Sequence, residues 1–323
     1  MTPPAPPPAP RPHRRAVRQL RLGLVPVLVV GLLLLVALGV RLGPVREPLA
    51  AAGATATATV TATGTAPDGR GLEVSFPDAA GAQRTGLVEL PRPLPVPVGA
   101  RLTVRYDPSA PAGTRALVHT DGDAAHAAVR DVVFGLVLVA LVLLVVTGLT
   151  LARLLGRPRL RGRPVTTVPA THLVVAQGLL VRSWLELETP AGRRWLPVHW
   201  APELDRLPAG SRVTVHGDPA RSRLVLPVLD GAEVWPSGRL RGREPRGQVR
   251  QAAVVPDAVE LGMARQARAD GVLPFLAPVL GLLWAYVDGS GVLGFLAASA
   301  LSAGVLFWLP QLLGSDPRAT SQG

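Results

Sequence analysis

The sequence predicts a membrane protein of mixed α and β structure, with four transmembrane helices and two small repeated all-β loop modules resembling barrels or sandwiches. Three observations lead to this fold class. The apolar residues of the 323-residue chain are concentrated in four blocks. The stretches between the blocks are rich in Arg, Pro and Gly. Two of these stretches alternate apolar and polar residues in short runs, as half-buried strands do.

The four apolar blocks predict the spans. A span needs about 20 helical residues to cross a hydrocarbon core of about 30 Å, and four blocks approach or exceed that length, at 22–40, 132–152, 271–287 and 290–313. The short turn at 288–290 predicts a helical hairpin between the last two. The first block could instead be a signal peptide, but its apolar run exceeds the usual core of about 7–15 residues. We therefore interpret this block as an uncleaved anchor.

The distribution of arginine predicts the orientation. Segment 1–21 holds 5 Arg and no acid, and segment 153–270 holds 19 Arg against 11 acids, whereas segment 41–131 holds 9 of each. Because arginine accumulates on the cytoplasmic side, we expect both termini in the cytoplasm and the first loop outside it. Five arginines that follow the second span are expected to contact anionic lipid head groups: Arg153, Arg157, Arg159, Arg161 and Arg163.

Composition narrows the function classes. All positive charges are Arg, and Lys, Ile and Asn do not occur, which is typical of a GC-rich and hence bacterial genome. Membrane orientation accounts for the net charge of +12 without a nucleic-acid partner. With no Cys, the chain has no disulfides or thiolate metal sites. We expect a multi-pass protein of the plasma membrane, with the lipid bilayer as its first partner.

The predicted modules, at 50–122 outside and 165–236 in the cytoplasm, resemble each other. At an offset of 111 residues, segments 99–108 and 210–219 share six of ten residues. An Asp-Pro pair ends a strand because Asp caps the turn and Pro cannot continue the ladder. The shared pattern is therefore interpreted as a repeated turn motif and not as a ligand loop: Gly99, Asp107 and Pro108 match Gly210, Asp218 and Pro219.

The same residues carry a resemblance to a known family. The first module has Val98-Gly99, Leu102, Val104, Tyr106-Asp107-Pro108 and Pro111, and the second has Gly210, Val213, Val215 and Asp218-Pro219. This pattern resembles the bacterial membrane proteins of the domain-of-unknown-function 3592 family. The second module departs from it with Gly217 in place of the Tyr. The resemblance implies an architecture and supplies no catalytic residues.

Candidate chemistry is sparse. His119, Asp121, Asp123 and His126 offer four ligands for a metal within eight residues. Their spacing matches no recognised motif, so a turn is the favoured interpretation. His199, among aromatic residues, could line a pocket, but a place in the core is favoured. The sequence lacks the common hydrolase, zinc-protease, phosphate-loop and dinucleotide motifs. We therefore predict a non-enzymatic protein without a cofactor.

The remaining predictions concern packing and function. Gly294, Ala298 and Ser302 recur on one face of the last span, which favours packing against the neighbouring span and leaves an oligomer possible. We predict a disordered cytoplasmic tail rich in Pro and Arg at 1–21, a cytoplasmic tail at 314–323, and a basic linker with an interfacial helix at 237–270. The preferred function is a scaffold that displays β modules on both sides of the membrane. The alternatives are an extracytoplasmic metal-dependent sensor or enzyme and an oligomeric transporter subunit.

Overall fold

The structure is a computed structural model, which describes residues 10–66, 68–111 and 116–318. It has mixed α and β structure, as predicted. Within the described residues, four helical segments are long and apolar enough to cross a membrane. The described residues form two compact units, here called the sheet unit, with residues 10–31 and 143–318, and the barrel unit, with residues 32–66, 68–111 and 116–142.

The first two candidate spans are longer than the apolar blocks that predicted them. Helix α1 is Arg14–Ala51, and helix α2 is Ala124–Gly156, followed by a 3-10 turn at Pro158–Gly162. Ala, Arg and Leu are good helix formers, so helix continues through the polar flanks. Residues 14–21, predicted as disordered tail, are therefore helical, and that part of the prediction is wrong.

The third candidate span, Met263–Asp288, begins with a short amphipathic helix, and the fourth is Gly291–Leu313. Helix α4 is Met263–Asp270, a 3-10 turn covers Leu273–Leu276, helix α5 is Ala277–Asp288 and helix α6 is Gly291–Leu313. Pro274 and Pro278 lie in the first turns of their elements. Proline is tolerated there because a helix leaves its first N–H groups unbonded. A helix thus lies where the interfacial helix was predicted, and a 3-10 turn joins it to α5.

Helices α5 and α6 approach each other closely at Gly281. An ideal Cβ atom on Gly281 would lie 2.8 Å from the carbonyl oxygen of Phe295 and 2.9 Å from the amide nitrogen of Ser299. The face of α6 that contacts α5 therefore contains Phe295 and Ser299. Each of these lies one residue after a member of the row of small residues predicted from the sequence. In that row, Gly294, Ala298 and Ser302 are half-buried, and Gly294 lies against Ser290 of its own helix.

The first half of α1 packs against α6. Its buried residues recur every three or four positions and so share one face. An ideal Cβ on Gly23 would lie 2.9 Å from Cβ of Gln311, and one on Gly304 would lie 3.1 Å from Cα of Val27. Small residues permit this approach of the two helices. The hydrophobic and glycine members of the buried stripe on α1 are Ala16, Leu20, Gly23, Val27 and Gly31.

The first β module is a closed five-stranded barrel with the order β1-β2-β3-β5-β4. Neighbouring strands are antiparallel, except that β3 and β5 are parallel. The strand bounds are β1 Ala54–Thr63, β2 Gly71–Pro77, β3 Gln83–Glu89, β4 Arg101–Tyr106 and β5 Ala116–His119.

The alternation that predicted these strands builds the barrel core. Val74 and Phe76 of β2 are buried, as are Val104 and Tyr106 of β4, while intervening residues face outwards. The Phe76 and Tyr106 rings lie 4.9 Å apart, and the Tyr106 hydroxyl oxygen accepts a hydrogen bond from the Ala79 amide at 3.0 Å. Tyr106 thus fastens the β2–β3 turn to the core.

The second β module is a seven-stranded sheet with the order β11-β10-β9-β6-β7-β8, and β12 pairs with β6. A short helix, α3 (Pro202–Asp205), precedes β9. The core of the second module is formed mainly by apolar side chains of β6 to β10. The strand bounds are β6 Val165–Gln177, β7 Leu180–Thr189, β8 Gly192–Val198, β9 Ser211–His216, β10 Leu226–Leu229, β11 Ala232–Glu233 and β12 Gln248–Gln251.

The two modules share a pairing scheme over five strands. In each, the first strand pairs with the second and the fourth, the second with the third, and the fourth with the fifth. They differ at the third strand. In the barrel, β3 pairs with β5, whereas β8 makes isolated bridges to Pro236 and Arg241.

The segments predicted as linker and tail contribute to the sheet unit. Part of the predicted linker at 237–270 is a strand, because the backbone of β12 forms hydrogen bonds with the edge of β6. Ser315 bridges Arg182, and the Asp316 amide donates to the Val181 carbonyl at 2.9 Å. Residues 315–316, predicted as part of a tail, therefore pair with β7 of the sheet module. Residues 1–9 and 319–323 lie outside the described residues.

Candidate functional site

The sheet unit contains a cluster of buried polar side chains where helices α1 and α6 meet the β module. Gln19 extends from the buried stripe of α1. Helix α6 ends at Leu313 and is capped by Gly314, whose φ of +74° suits glycine and turns the chain towards the sheet. A Cβ on Gly314 would also lie 2.6 Å from Cβ of Ser237. The turn brings Ser315 into the interior, where it is 3% exposed.

Gln19, His199, Gln266 and Ser315, here called the polar junction, bond to one another. The Gln19 side-chain amide donates to the Ser315 carbonyl and hydroxyl oxygens, each at 3.2 Å, and its oxygen accepts from His199 Nδ1 at 3.3 Å. The Gln266 amide donates to the Ser315 hydroxyl at 2.9 Å. Because buried polar groups must find partners, these contacts fix the register of α1, α4 and the end of α6 on the module.

Beside the polar junction, Arg318 joins two buried carboxylates. Its Nη1 donates to Asp205 Oδ1 at 2.7 Å, and its Nε and Nη2 donate to the two oxygens of Asp316 at 3.0 and 2.7 Å. The Trp200 indole also donates to Asp205 at 3.1 Å. A planar guanidinium suits this two-carboxylate arrangement because its donors form a rigid fork. We call Asp205, Asp316 and Arg318 the carboxylate clamp.

The two carboxyl groups of the clamp titrate differently. Burial raises the pKa of Asp205 to about 6, against the opposing charge of Arg318. Burial also acts to raise the pKa of Asp316, but hydrogen bonds from Arg318 and Ser183 and the charge of Arg318 outweigh it and lower that pKa. The bidentate contact thus keeps Asp316 ionised to a lower pH than Asp205.

One group of buried side chains resembles a catalytic triad. In it, Ser183 would be the nucleophile, His172 the base and Asp205 the acid. His172 Nε2 lies 3.2 Å from the Ser183 hydroxyl, and His172 Nδ1 lies 3.7 Å from Asp205. The Ser183 hydroxyl donates instead to Asp316 at 2.9 Å. Ser183 and His172 are 0% and 2% exposed, so a substrate has no path to the hydroxyl in this arrangement. These contacts hold the chain at 315–318 in place.

Three buried histidines of this unit are held neutral. Burial lowers the pKa of His13 to about 3, with a further contribution from the charge of Arg15, and lowers the pKa of His172 to about 4. Burial likewise lowers the pKa of His199 well below its usual value. His13 Nδ1 accepts from the Trp235 amide at 2.9 Å, which also requires that nitrogen to be unprotonated.

We expect His13→Asn to reduce the acid sensitivity of the sheet unit. An ordinary His has a pKa of about 6.5, so the stability that neutral His13 supplies is complete above that pH and is lost as the pH falls towards 3. Between pH 7.5 and 5.0 this loss amounts to about 2 kcal/mol. The Asn side-chain oxygen can replace Nδ1 as acceptor. Unfolding of the detergent-purified chain at both pH values measures the difference, and parallel pH profiles would contradict it.

The predicted metal ligands lie together at the start of α2 but bond to one another. His119 Nδ1 and His126 Nδ1 lie 2.7 and 2.9 Å from opposite oxygens of Asp123, whereas Asp121 is exposed. Asp123 Oδ1 also accepts from the His126 amide at 2.8 Å, as a helix N-cap does. Burial opposes ionisation of Asp123, but these bonds lower its pKa. Within 10–66, 68–111 and 116–318, no three His, Cys, Asp or Glu residues form a group able to hold a metal ion.

Asp123→Ala is expected to destabilise the barrel unit by about 1–2 kcal/mol, because it removes the N-cap of α2 and leaves buried His119 without its partner. Asp121→Ala, two residues away and exposed, is the matched control and should change stability by less than about 0.5 kcal/mol. Thermal unfolding of the two variants at pH 7.5 measures the difference. Equal midpoints for both would rule out the capping role.

The arginines predicted to contact lipid largely contact protein. Arg153 donates to the Ser237 carbonyl at 2.6 Å and to the Leu312 carbonyl, and Arg163 donates to the Leu224 carbonyl at 2.7 Å. Both donor groups on one edge of Arg161 bind buried Glu233. Arg157 is half-buried and Arg159 is exposed. Contact between this cluster and anionic lipid head groups stays a prediction, since three of its members, Arg159, Arg161 and Arg163, are exposed.

The repeated motif forms turns at equivalent places. Gly99 and Gly210 have φ of +89° and +71°. Asp107 accepts from the Ser109 amide at 2.8 Å, and Asp218 accepts from the Ala220 amide at 2.8 Å, so each Asp closes a turn after a strand. Pro108 and Pro219 follow them. The second module has Gly217, with φ of +103°, where the first has Tyr106.

Sequence reasoning missed most of the buried site. Gln19, Ser315, Asp316 and Arg318 fell within the predicted tails, although His199 was correctly assigned to an interior position. For Gln19, the available signal was the helix-favouring run at 14–21, which continues the first predicted span on its N-terminal side. Comparison of the chain with protein-family models, with curated proteins and with solved structures gives no match. The resemblance to the domain-of-unknown-function 3592 family therefore stays a prediction.

Proposed function

We propose that the protein is a membrane-embedded, non-enzymatic scaffold that presents two β modules to partners, with the barrel outside the cell and the sheet module in the cytoplasm of a bacterium. The observation that carries this function is the shortness of the connections to the barrel. Residues 52–53 separate α1 from β1, and residues 120–123 separate β5 from α2. A module joined so closely to two helices is held in a limited set of orientations, which lowers the entropic cost of binding a partner.

The sheet module is also held in a limited set of orientations, but by side-chain contacts and not by short connections. The polar junction and the carboxylate clamp link it to α1, α4 and the end of α6 through buried hydrogen bonds. Glu233, buried beside Trp235, pairs with Arg161 next to α2. These contacts fix the orientation of the sheet module relative to these helices. The shared five-strand pairing scheme supports an origin of both modules by internal repetition.

The orientation of the modules can be tested by labelling, since the chain has no cysteine. Ser109→Cys lies in an exposed barrel turn, and Arg221→Cys replaces a side chain that is 91% exposed in the sheet module. In intact cells, a membrane-impermeant maleimide should label Ser109→Cys and should label Arg221→Cys only after permeabilisation. Labelling of both variants in intact cells would contradict display on two sides.

Partner binding by the barrel can be tested by photo-crosslinking in cells. Leu94 and Val98 are large apolar residues that are 44% and 65% exposed. A benzophenone amino acid at either position should give a discrete crosslinked species, while one at Ala80, exposed on another turn, should not. The same faint products from all three positions, or none from any, would contradict a specific partner at this face.

A further inference from the structure

The sheet unit contains a cleft that the proposed scaffold does not use. Its volume is about 680 Å³. One wall is formed by the ends of β6 and β7, including Val175, Arg182 and Trp184, and the other by the loop 241–246. The cleft thus lies between a strand pair and a basic loop.

The basic loop is held at both ends. Arg241 exchanges two backbone hydrogen bonds with Trp195 of β8, each 2.9 Å long. At the other end, Gly247, with φ of +121°, leads directly into β12, which pairs with β6. A loop fixed in this way presents its side chains without a large loss of conformational entropy on binding.

The cleft carries an excess of positive charge. Arg182, Arg241, Arg243 and Arg246 line it together with one acid, Glu244. Within the described part of the chain, none of these four arginines forms an ion pair. An anion between them would offset a repulsion that the protein itself leaves in place.

Two of these arginines share one aromatic ring. The guanidinium carbons of Arg182 and Arg241 each lie 5.3 Å from the centre of the Trp184 ring. Burial and the charge of Arg241 lower the pKa of Arg182 to about 10. The Trp184 side chain is itself 3% exposed, and its indole nitrogen has no hydrogen-bond partner among the described residues. Trp184 thus contacts two of the arginines that line the cleft.

The cleft lies beside the ends of two candidate spans. Arg182 donates to the Ser237 hydroxyl at 3.1 Å, and Arg153 of α2 donates to the carbonyl of the same Ser237 at 2.6 Å. The backbone of Arg182 also bridges Ser315, just beyond the end of α6. With α2 and α6 across a bilayer, Arg182 lies near the depth of the lipid head groups.

We propose that this cleft binds the phosphate of an anionic lipid head group, with Arg182 and Arg241 as its principal donors and Arg243 and Arg246 at its rim. Guanidinium groups match phosphate because their paired N–H groups bond two oxygens at once. This site goes beyond the scaffold function, and either can hold when the other fails. The phosphate chemistry is shared with soluble phosphate compounds, and the position beside α2 and α6 favours the lipid.

Titration of the full chain in neutral detergent with dioctanoyl phosphatidylglycerol tests the site. We expect saturable binding that Arg241→Gln or Arg243→Gln weakens by about tenfold or more. Both positions are exposed, so these variants are expected to fold. Arg239→Gln is the matched control, because Arg239 is exposed two residues away and does not line the cleft. Its affinity should equal that of the unaltered chain.

Titrations with two further ligands distinguish a lipid head group from a soluble compound as the source of the phosphate. Glycerol 3-phosphate that binds as tightly as the lipid, with the same dependence on Arg241, would overturn the lipid assignment in favour of a soluble phosphate compound. Equal binding of dioctanoyl phosphatidylcholine would overturn recognition of negative charge. Equal weakening by Arg239→Gln, or no saturable binding, would overturn the cleft as the site. These results are independent of the labelling experiment on module orientation.

Discussion

Arg318→Met is expected to destabilise the sheet unit by about 3–5 kcal/mol, the range found when one partner of a buried ion pair is removed. The side chains of Asp205 and Asp316 are 5% and 1% exposed, and both depend on Arg318 for neutralisation. Met keeps much of the aliphatic volume and removes the charge and all the donors. The free energy of unfolding of the detergent-purified chain at pH 7.5 measures the loss.

Two comparisons separate charge from packing. Arg212→Met, on an exposed position of β9, is the matched control and should change stability by less than about 0.5 kcal/mol. Adding Asp205→Asn and Asp316→Asn to Arg318→Met should restore part of the loss, because no unpaired carboxylate then remains buried. An Arg318→Met variant as stable as Arg212→Met would refute the role of the clamp.

Gly281→Ala is expected to destabilise the α5–α6 hairpin by about 3 kcal/mol, at the upper end of the usual cost of overpacking. The added carbon would meet two backbone atoms, the Phe295 oxygen and the Ser299 nitrogen, which cannot rotate away. The two helices must therefore separate. The loss of stability can be measured by heating the protein in mild detergent and using size-exclusion chromatography to quantify the folded, monodisperse fraction that remains.

Gly148→Ala, in α2, is the matched control for Gly281→Ala. An ideal Cβ on Gly148 has no atom within 4 Å, so the substitution adds no contact. It should be neutral, or stabilising by up to about 1 kcal/mol, because alanine loses less backbone entropy than glycine in a helix. The prediction for the hairpin fails if both alanine variants melt at the temperature of the unaltered chain.

Local patterns in the sequence predicted the candidate spans and the strands. Apolar composition identified the regions of α1, α2, α5 and α6, and alternation identified the strands that carry Val74 and Val104. Both signals are local, because each arises from the composition or the alternation of residues that are neighbours in the chain. The bounds of α1 were missed because residues beyond the apolar block still favour helix.

The polar junction could not be predicted from local patterns. Gln19 and Ser315 are 296 residues apart in the chain, and Asp205 and Arg318 are 113 apart. Each residue taken alone resembles a solvated side chain near the end of an element. Their burial is decided by how α1, α6 and the sheet meet, which depends on tertiary packing and not on periodicity. The basic segment that contains Arg241 was read as a linker for the same reason.

The separation of Asp205 from Arg318 also imposes an order on biosynthesis. Helices α5 and α6 lie between them, so the strands around Asp205 are synthesised before the last two candidate spans, and Arg318 follows both. Until then, the nascent module contains a carboxylate that it cannot bury without its partner. Completion of the module therefore has to wait for the last helical pair. A chain that stalls before α6 is left with an unfinished domain, which cellular proteases can recognise.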